Sequence, residues 1–201
     1  NGGKCNTEED FYKACRAASI LGTLQAGYTD FKFLTDTSKL IFDREALLGV
    51  SITGWMNNPD ILFNEKILEK GAQIVKDVNR EVSQIIGINA AARTTCVKPS
   101  GNASVLLQTA SGIHAEHSNM YIRNVQMNKE SEITQAIMKT NPYMVEESVW
   151  SAGGTDVVVS FPILPKKGSL YKDDLLGVKH LELVKKAQKH WVETGTNEDL
   201  C

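Results

Sequence analysis

The residues whose types and spacing suit chemistry best lie in Ala92 to Leu107, ARTTCVKPSGNASVLL. Thr94, Thr95, Cys96 and Val97 make a short run fit for a strand. Lys98-Pro99 closes it, because proline has no N–H to extend a ladder and holds φ fixed. The loop Pro99, Ser100, Gly101, Asn102, Ala103 and Ser104 is then almost bare backbone. Gly101 lets a ligand approach the main chain, and Ser100, Asn102 and Ser104 add side-chain donors. If Val105 opens a helical turn, free N–H groups around Asn102 to Ser104 face outward at the positive end of a dipole. Lys98 adds a full charge at the rim. Such a loop suits a phosphate. It is neither a Walker loop, since no Gly-Lys-Ser/Thr follows, nor a GxGxxG turn. An ordinary turn of small polar residues is the competing reading.

The remaining candidates carry less. His114-Ala115-Glu116-His117 has two imidazoles, but without further placed ligands it reads as a surface turn rather than a metal site. Cys96, on an apolar run beside Lys98, reads as a buried and inert thiol. Glu193 reads as a solvated acid at a helix end, and Lys166-Lys167 as a solvated loop. Trp150, Tyr121 and Arg123 could line a pocket, although aromatic residues on strands are usually core. Asn102-Ala103-Ser104 matches a glycosylation acceptor only formally.

The elements that must position these residues follow from periodicity. Thr7 is a good N-cap, with Glu8, Glu9 and Asp10 on the first turn where the dipole favours them. Phe11, Ala14, Cys15, Ala18, Leu21 and Leu24 then make one apolar stripe ending at Gly27. Leu47 to Trp55 reads as a buried strand closed by Asn57-Asn58-Pro59. A second helix follows Asn64, with Ile67, Gly71, Ile74, Val75, Val78, Val82 and Ile85 on one face, and Gly87 stops it. Met120 to Val125 reads as a strand and Ser131 to Lys139 as a short helix. Val145 to Trp150 and Asp156 to Phe161 read as two strands joined through SAGGT. A closing helix starts near Asp173, with Leu176, Leu183, Val184, Ala187 and Trp191 as its stripe and Gly195 as its C′ residue. Strands alternating with helices imply an α/β fold with a mainly parallel sheet, whose ligands sit at the carboxyl ends of strands.

Composition narrows the classes. Two hundred and one residues are enough for one domain or a large piece of a bigger protein, and 22 Lys+Arg against 24 Asp+Glu leave a net charge of −2. With no block of one sign, a nucleic-acid stripe is not expected. No apolar run reaches membrane-spanning length, and no secretory signal is visible. The four cysteines, Cys5, Cys15, Cys96 and Cys201, form no CxxC and no metal spacing. Reduced thiols in a cytoplasm are expected, with no membrane and no nucleic acid as partner. The chain opens at Asn1 without methionine and stops at Cys201 after the polar TGTNEDL, and both ends are expected to be cuts in a longer protein.

With those residues in place, a resemblance emerges. TTCVKPSGNASVLL followed by TASGIHAEHSNMYIRNVQ resembles the C-terminal half of the catalytic subunit of ribonucleotide reductases, most closely the adenosylcobalamin-dependent class II type. GVSITGWMNNPDIL, SVWSAGGTDVVVSFPI and HWVETGTNEDL resemble the same family. The resemblance implies that residues 1–201 are one truncated domain, part of a ten-stranded α/β barrel of alternating helices and mainly parallel strands. It implies reduction of ribonucleotides to 2′-deoxyribonucleotides by thiyl-radical chemistry, with adenosylcobalamin as cofactor, a ribonucleotide as substrate and a thioredoxin-like or dithiol reductant as partner. In that family the loop matching Pro99-Ser100-Gly101-Asn102-Ala103-Ser104 holds the substrate phosphates, and Thr more often stands where Asn102 does here. The radical cysteine, in Asn-x-Cys-x-Glu, has no match in this chain. The catalytic cysteine, glutamate and asparagine are therefore expected upstream, in the rest of the same catalytic chain, and this piece is expected to be inactive alone. A bacterial or virus-infected bacterial cytoplasm would be its setting. The large subunit of a class I enzyme, with a partner radical subunit, and a noncatalytic α/β phosphate-binding module are the alternatives.

Overall fold

Thr7 begins the first helix as its sequence requires. In the computed structural model, which describes residues 1–101 and 103–197, α1 runs Glu8–Ala26 under a reciprocal capping box. The Thr7 hydroxyl accepts from the Asp10 amide at 3.1 Å and the Asp10 carboxylate accepts from the Thr7 amide at 3.0 Å. The amides of Asn6 and Thr7, with the Thr7 hydroxyl, hold the Asp10 carboxyl below its ordinary range. What stood as expectation for Asn102 and Cys201 lies outside the described residues.

The chain divides into two compact units, one of Asn1–Glu116 with Lys166–Cys201 and one of His117–Pro165. The first holds α1, α2 (Asp36–Glu45), α3 (Pro59–Leu62), α4 (Glu65–Ile86) and α5 (Ala103–Leu107). Its core gathers Phe11, Cys15, Trp55, Met56, Leu62, Leu68, Val75 and Trp191. α4 starts where Asn64 accepts from the Ile67 amide and ends at Gly87, whose φ of +77° is the left-handed cap that favours glycine.

The faces these helices bury differ from the apolar stripes. Leu21 and Leu24 of α1 are 69% and 47% exposed, and Ile85 of α4 is 75% exposed. The buried rows are instead Phe11, Tyr12, Cys15, Ser19, Thr23 and Ala26 on α1 and Leu68, Gly71, Ala72, Val75, Val78, Asn79 and Ser83 on α4. The physical reason is a seam of hydrogen bonds that makes small polar residues better partners than leucine. Ser19 donates to the Val75 carbonyl at 2.7 Å, and Asn79 donates to the Thr23 hydroxyl at 2.9 Å. Asn79 also accepts from the Ala91 amide at 2.9 Å, so every group is paired despite burial. Gly71 admits the Phe11 ring, since a Cβ there would lie 2.6 Å from Phe11 Cε1.

The extended runs of this unit are buried but irregular. Residues 47–55 touch 93–97 through one parallel bridge, Val50 to Thr95, with amides of Leu48, Val50 and Cys96 each donating across at 3.0 Å. On the other side of 93–97, Arg93 bridges Thr196 antiparallel, and the Thr94 amide donates to the Gly195 carbonyl at 2.9 Å. Glu116 and Tyr171 make a second isolated parallel bridge. The expectation of mainly parallel strands is corrected here: among the described residues every regular ladder is antiparallel, and the parallel pairings are isolated bridges. A buried apolar run looks the same in sequence whether it keeps a ladder or only two or three bonds of one.

The closing helix begins with a single turn at Lys172–Asp174. Its helix proper (α7, Val178–Ala187) then continues as a wider turn over Gln188–Glu193. Gly195 is not a left-handed cap. It is needed because the chain passes against the 93–97 run, where an added Cβ would overlap the Thr95 hydroxyl and lie 2.8 Å from Thr95 Cβ. Gly195→Ala should therefore destabilise the protein by about 2 kcal/mol through overpacking. Chemical denaturation checks this, with Thr95→Ala in the same background expected to recover part of the loss.

The second unit holds α6 (Glu132–Thr140) and a three-stranded antiparallel sheet in the order β1-β3-β2, with β1 Tyr121–Asn128, β2 Val145–Glu147 and β3 Asp156–Ile163. Tyr121 pairs with Ile163 and Asn128 with Asp156 at the two ends of the long ladder. Val157 and Val159 of β3 point inward as period-2 alternation requires. The expected strand to Trp150 stops at Glu147, and Trp150 is 84% exposed in the following turn rather than core.

Candidate functional site

The expected loop follows directly on an extended run. Lys98 is the last residue of that run, its amide donating to the Ser51 hydroxyl at 3.1 Å. Its side chain lies along Gly49, where a Cβ would sit 3.8 Å from Lys98 Cδ and 3.9 Å from Nζ. Lys98 also borders a cleft of about 750 Å³ whose other walls include Leu21, Tyr28, Phe31, Phe42 and Leu47.

The loop is a tight turn. Pro99 and Gly101 are exposed, and Gly101 has φ +50° with open space where a side chain would stand. The Ala103 amide turns back onto the Ser100 carbonyl at 3.0 Å, and the Ser104 hydroxyl donates to the Gly101 carbonyl at 3.0 Å. Both groups are thus committed to the turn, and Ser104 is buried. Neither the Ser100 nor the Gly101 amide has an acceptor among the described residues. α5 spans only five residues and ends at Gln108, φ +53°. A helix that short lends little dipole.

A residue that sequence reasoning used only as a strand terminator organises the floor beneath this turn. Asn57 is buried, and its side chain uses all its hydrogen-bonding capacity. Its oxygen accepts from the Thr109 hydroxyl at 2.7 Å and the Ala110 amide at 2.6 Å. Its nitrogen donates to Glu116 Oε1 at 2.7 Å and the Ser169 hydroxyl at 3.0 Å. Beyond Thr109 and Ala110, the Ser111 hydroxyl meets the Ser100 hydroxyl at 3.0 Å. Gly112 packs so closely that a Cβ there would be 3.1 Å from the Lys98 carbonyl oxygen. The only signal for this in the sequence is a polar residue directly after an apolar run.

The other candidates are not brought into the site. His114 and His117 are exposed and fall in different units, Glu116 is buried, and no group of three metal-ligating side chains exists among the described residues. Burial raises the Cys96 thiol despite Lys98, raises Cys5, and pushes Cys15 up to about 12, so these thiols rest protonated. Arg123 donates to the Tyr121 hydroxyl at 3.0 Å, both on β1. Glu193 is exposed at its helix end, as expected. Lys166 is less free than a solvated loop implies, since its ammonium donates to the carbonyls of Gly3 and Cys5, each at 3.4 Å.

The fold is that of part of a class II ribonucleotide reductase. The chain superposes on a crystal structure of a B-12 dependent (class II) ribonucleotide reductase with a TM-score of 0.74 at 15% identity, covering 89% of this chain and 29% of that one. In sequence it is similar to a probable adenosylcobalamin-dependent ribonucleoside-triphosphate reductase of Dictyostelium discoideum, 27% identical over 191 residues. It is also similar to an adenosylcobalamin-dependent ribonucleoside-triphosphate reductase of Euglena gracilis, 24% identical over 159 residues. These matches cover 92% and 78% of this chain but only 24% and 22% of the relatives, so the chain spans about a quarter of their length. No family model matches it. The resemblance read from the residues is the one these comparisons find. Among the described residues no helix is long and apolar enough to cross a membrane.

Proposed function

We propose that this chain is a portion of an adenosylcobalamin-dependent ribonucleotide reductase, an oxidoreductase that converts ribonucleotides to 2′-deoxyribonucleotides, and that its Pro99–Ser104 turn holds the substrate phosphates. The observation that carries the reading is a likeness to reductases of that name running over nearly the whole chain, the turn included. The chemistry of the turn supports it. The Ser100 and Gly101 amides, which have no acceptor among the described residues, are open donors in a loop that carries no carboxylate, and Lys98 precedes it in the chain. Backbone amides of that kind favour an anion.

In this reading the chain forms part of the wall of the ten-stranded barrel that the resemblance implies, and its own work is positional. It fixes the phosphate end of the substrate so that the ribose meets the radical cysteine of the rest of the chain. A reacting group misplaced by about 1 Å can cost on the order of 100-fold in rate. A dithiol or thioredoxin-like protein would be the reductant and a cytoplasm the setting.

Adenosylcobalamin supplies the radical in enzymes of this kind. Two clefts of the first unit, about 330 and 750 Å³, are of a size for a small ligand and not for a corrin with its nucleotide arm. No described residue is assigned to the cofactor, and it enters from the relatives' names. The test is direct. The protein at its full natural length, given ribonucleoside triphosphate, adenosylcobalamin and dithiothreitol, should form 2′-deoxynucleotide. No product under those conditions from folded protein would set the reading aside.

A further inference from the structure

We infer that Asn57 is a positioning residue for the anion-holding turn, acting through Thr109, Ala110 and the Ser111–Ser100 hydroxyl pair; the inference rests on the reading of that turn given above. The path is contiguous. The carboxamide oxygen of Asn57 takes two short bonds from consecutive residues, Thr109 and Ala110, at 2.7 and 2.6 Å. The next residue, Ser111, grips Ser100 at 3.0 Å, and Gly112 lies against the Lys98 carbonyl. The segment leaving the turn is thereby fastened beside the residues that enter it.

The other half of the carboxamide keeps Asn57 in place. Its two N–H groups are spent on Glu116 and Ser169, and Ser169 is itself tied to the Lys166 carbonyl at 2.6 Å. A side chain with all four hydrogen-bond valences filled has one orientation available, since flipping it would set donor against donor at Ala110. Gly54, at φ +79°, leaves room for this: a Cβ there would overlap the Thr109 hydroxyl that Asn57 holds. A carboxamide needed only to fill space would not require that its neighbours be so arranged.

The experiment measures the dissociation constant of inorganic tripolyphosphate, together with binding stoichiometry and thermal midpoint, in the protein at its full natural length. Asn57→Ala should weaken binding about tenfold and Ser111→Ala about threefold. The double variant should be no weaker than Asn57→Ala alone, because both substitutions cut one path. A purely structural Asn57 would lower the midpoint and the stoichiometry and leave the dissociation constant of the folded molecules unchanged, and that result would overturn the inference. If Asn57→Ala does not fold, Thr109→Val, which keeps shape and removes the hydroxyl, should weaken binding about threefold; unchanged binding in Thr109→Val and Ser111→Ala would overturn it equally. Gly101→Asp serves as the control. Weakening there alone removes the inference and leaves the turn as the anion site, whereas no weakening in any variant removes both.

Discussion

Trp191→Ala should lower the unfolding free energy by about 4 kcal/mol, at the upper end of single core substitutions. Trp191 is fully buried and packs its ring 5.9 Å from that of Phe11, so α1 loses a neighbour when it is truncated. Its indole N–H donates to the Cys96 carbonyl at 3.3 Å, and its own carbonyl accepts from the Thr95 hydroxyl at 2.6 Å. The side chain therefore ties the wide turn after α7 to the run that leads into the Pro99–Ser104 turn. Truncation leaves a cavity and an unpaired carbonyl together, and the two costs add in direction. For a chain of 201 residues the midpoint should fall by roughly 10 °C. Trp191→Phe, which keeps one aromatic ring while losing the rest of the indole and its N–H, should cost less. Equal losses in the two variants would mean that neither packing nor the Cys96 bond is placed as described.

Gly101→Asp should weaken binding of an anionic nucleotide tail by on the order of 100-fold. Aspartate tolerates left-handed backbone better than most residues, and open space surrounds the Gly101 Cβ position at φ +50°, so the turn is spared. What changes is charge. A carboxylate about 5 Å from a phosphate, at an effective dielectric of about 20, is repelled by about 3 kcal/mol per unit charge. Gly101→Asn, of the same shape without the charge, should bind within about threefold of the unsubstituted protein. The ratio between the two variants isolates electrostatics from backbone strain. Titration calorimetry reads both, and raised salt should narrow the gap as screening grows.

How much of this was legible in the sequence depended on whether a local rule or a tertiary one decided. Thr7, Asn64 and Gly87 bounded helices correctly because a cap is a contact within a few residues of itself. The antiparallel partners β2 and β3 were legible as two runs joined through SAGGT for the same reason. The buried rows of α1 and α4 were not, because Ser19, Thr23 and Asn79 are core only by virtue of hydrogen bonds to residues more than fifty positions away. Gly195 looked like a cap and is a close approach to Thr95, a fact held entirely by the partner run. Within the site, Pro99 and Gly101 announced the turn, yet the Ala103 amide folding back on the Ser100 carbonyl is not visible in a run of small polar residues. Asn57 carried almost no signal, since a carboxamide after an apolar run reads as a terminator until Thr109, Ala110, Glu116 and Ser169 are found around it.

The Pro99–Ser104 turn is proposed to hold the substrate phosphates. A crystal structure of the protein at its full natural length with ribonucleoside triphosphate is the most direct measurement. Phosphate oxygens within about 3 Å of the Ser100 and Gly101 amides, with the Lys98 ammonium beside them, are the predicted result. A triphosphate bound elsewhere, with those two amides facing only water, would contradict it.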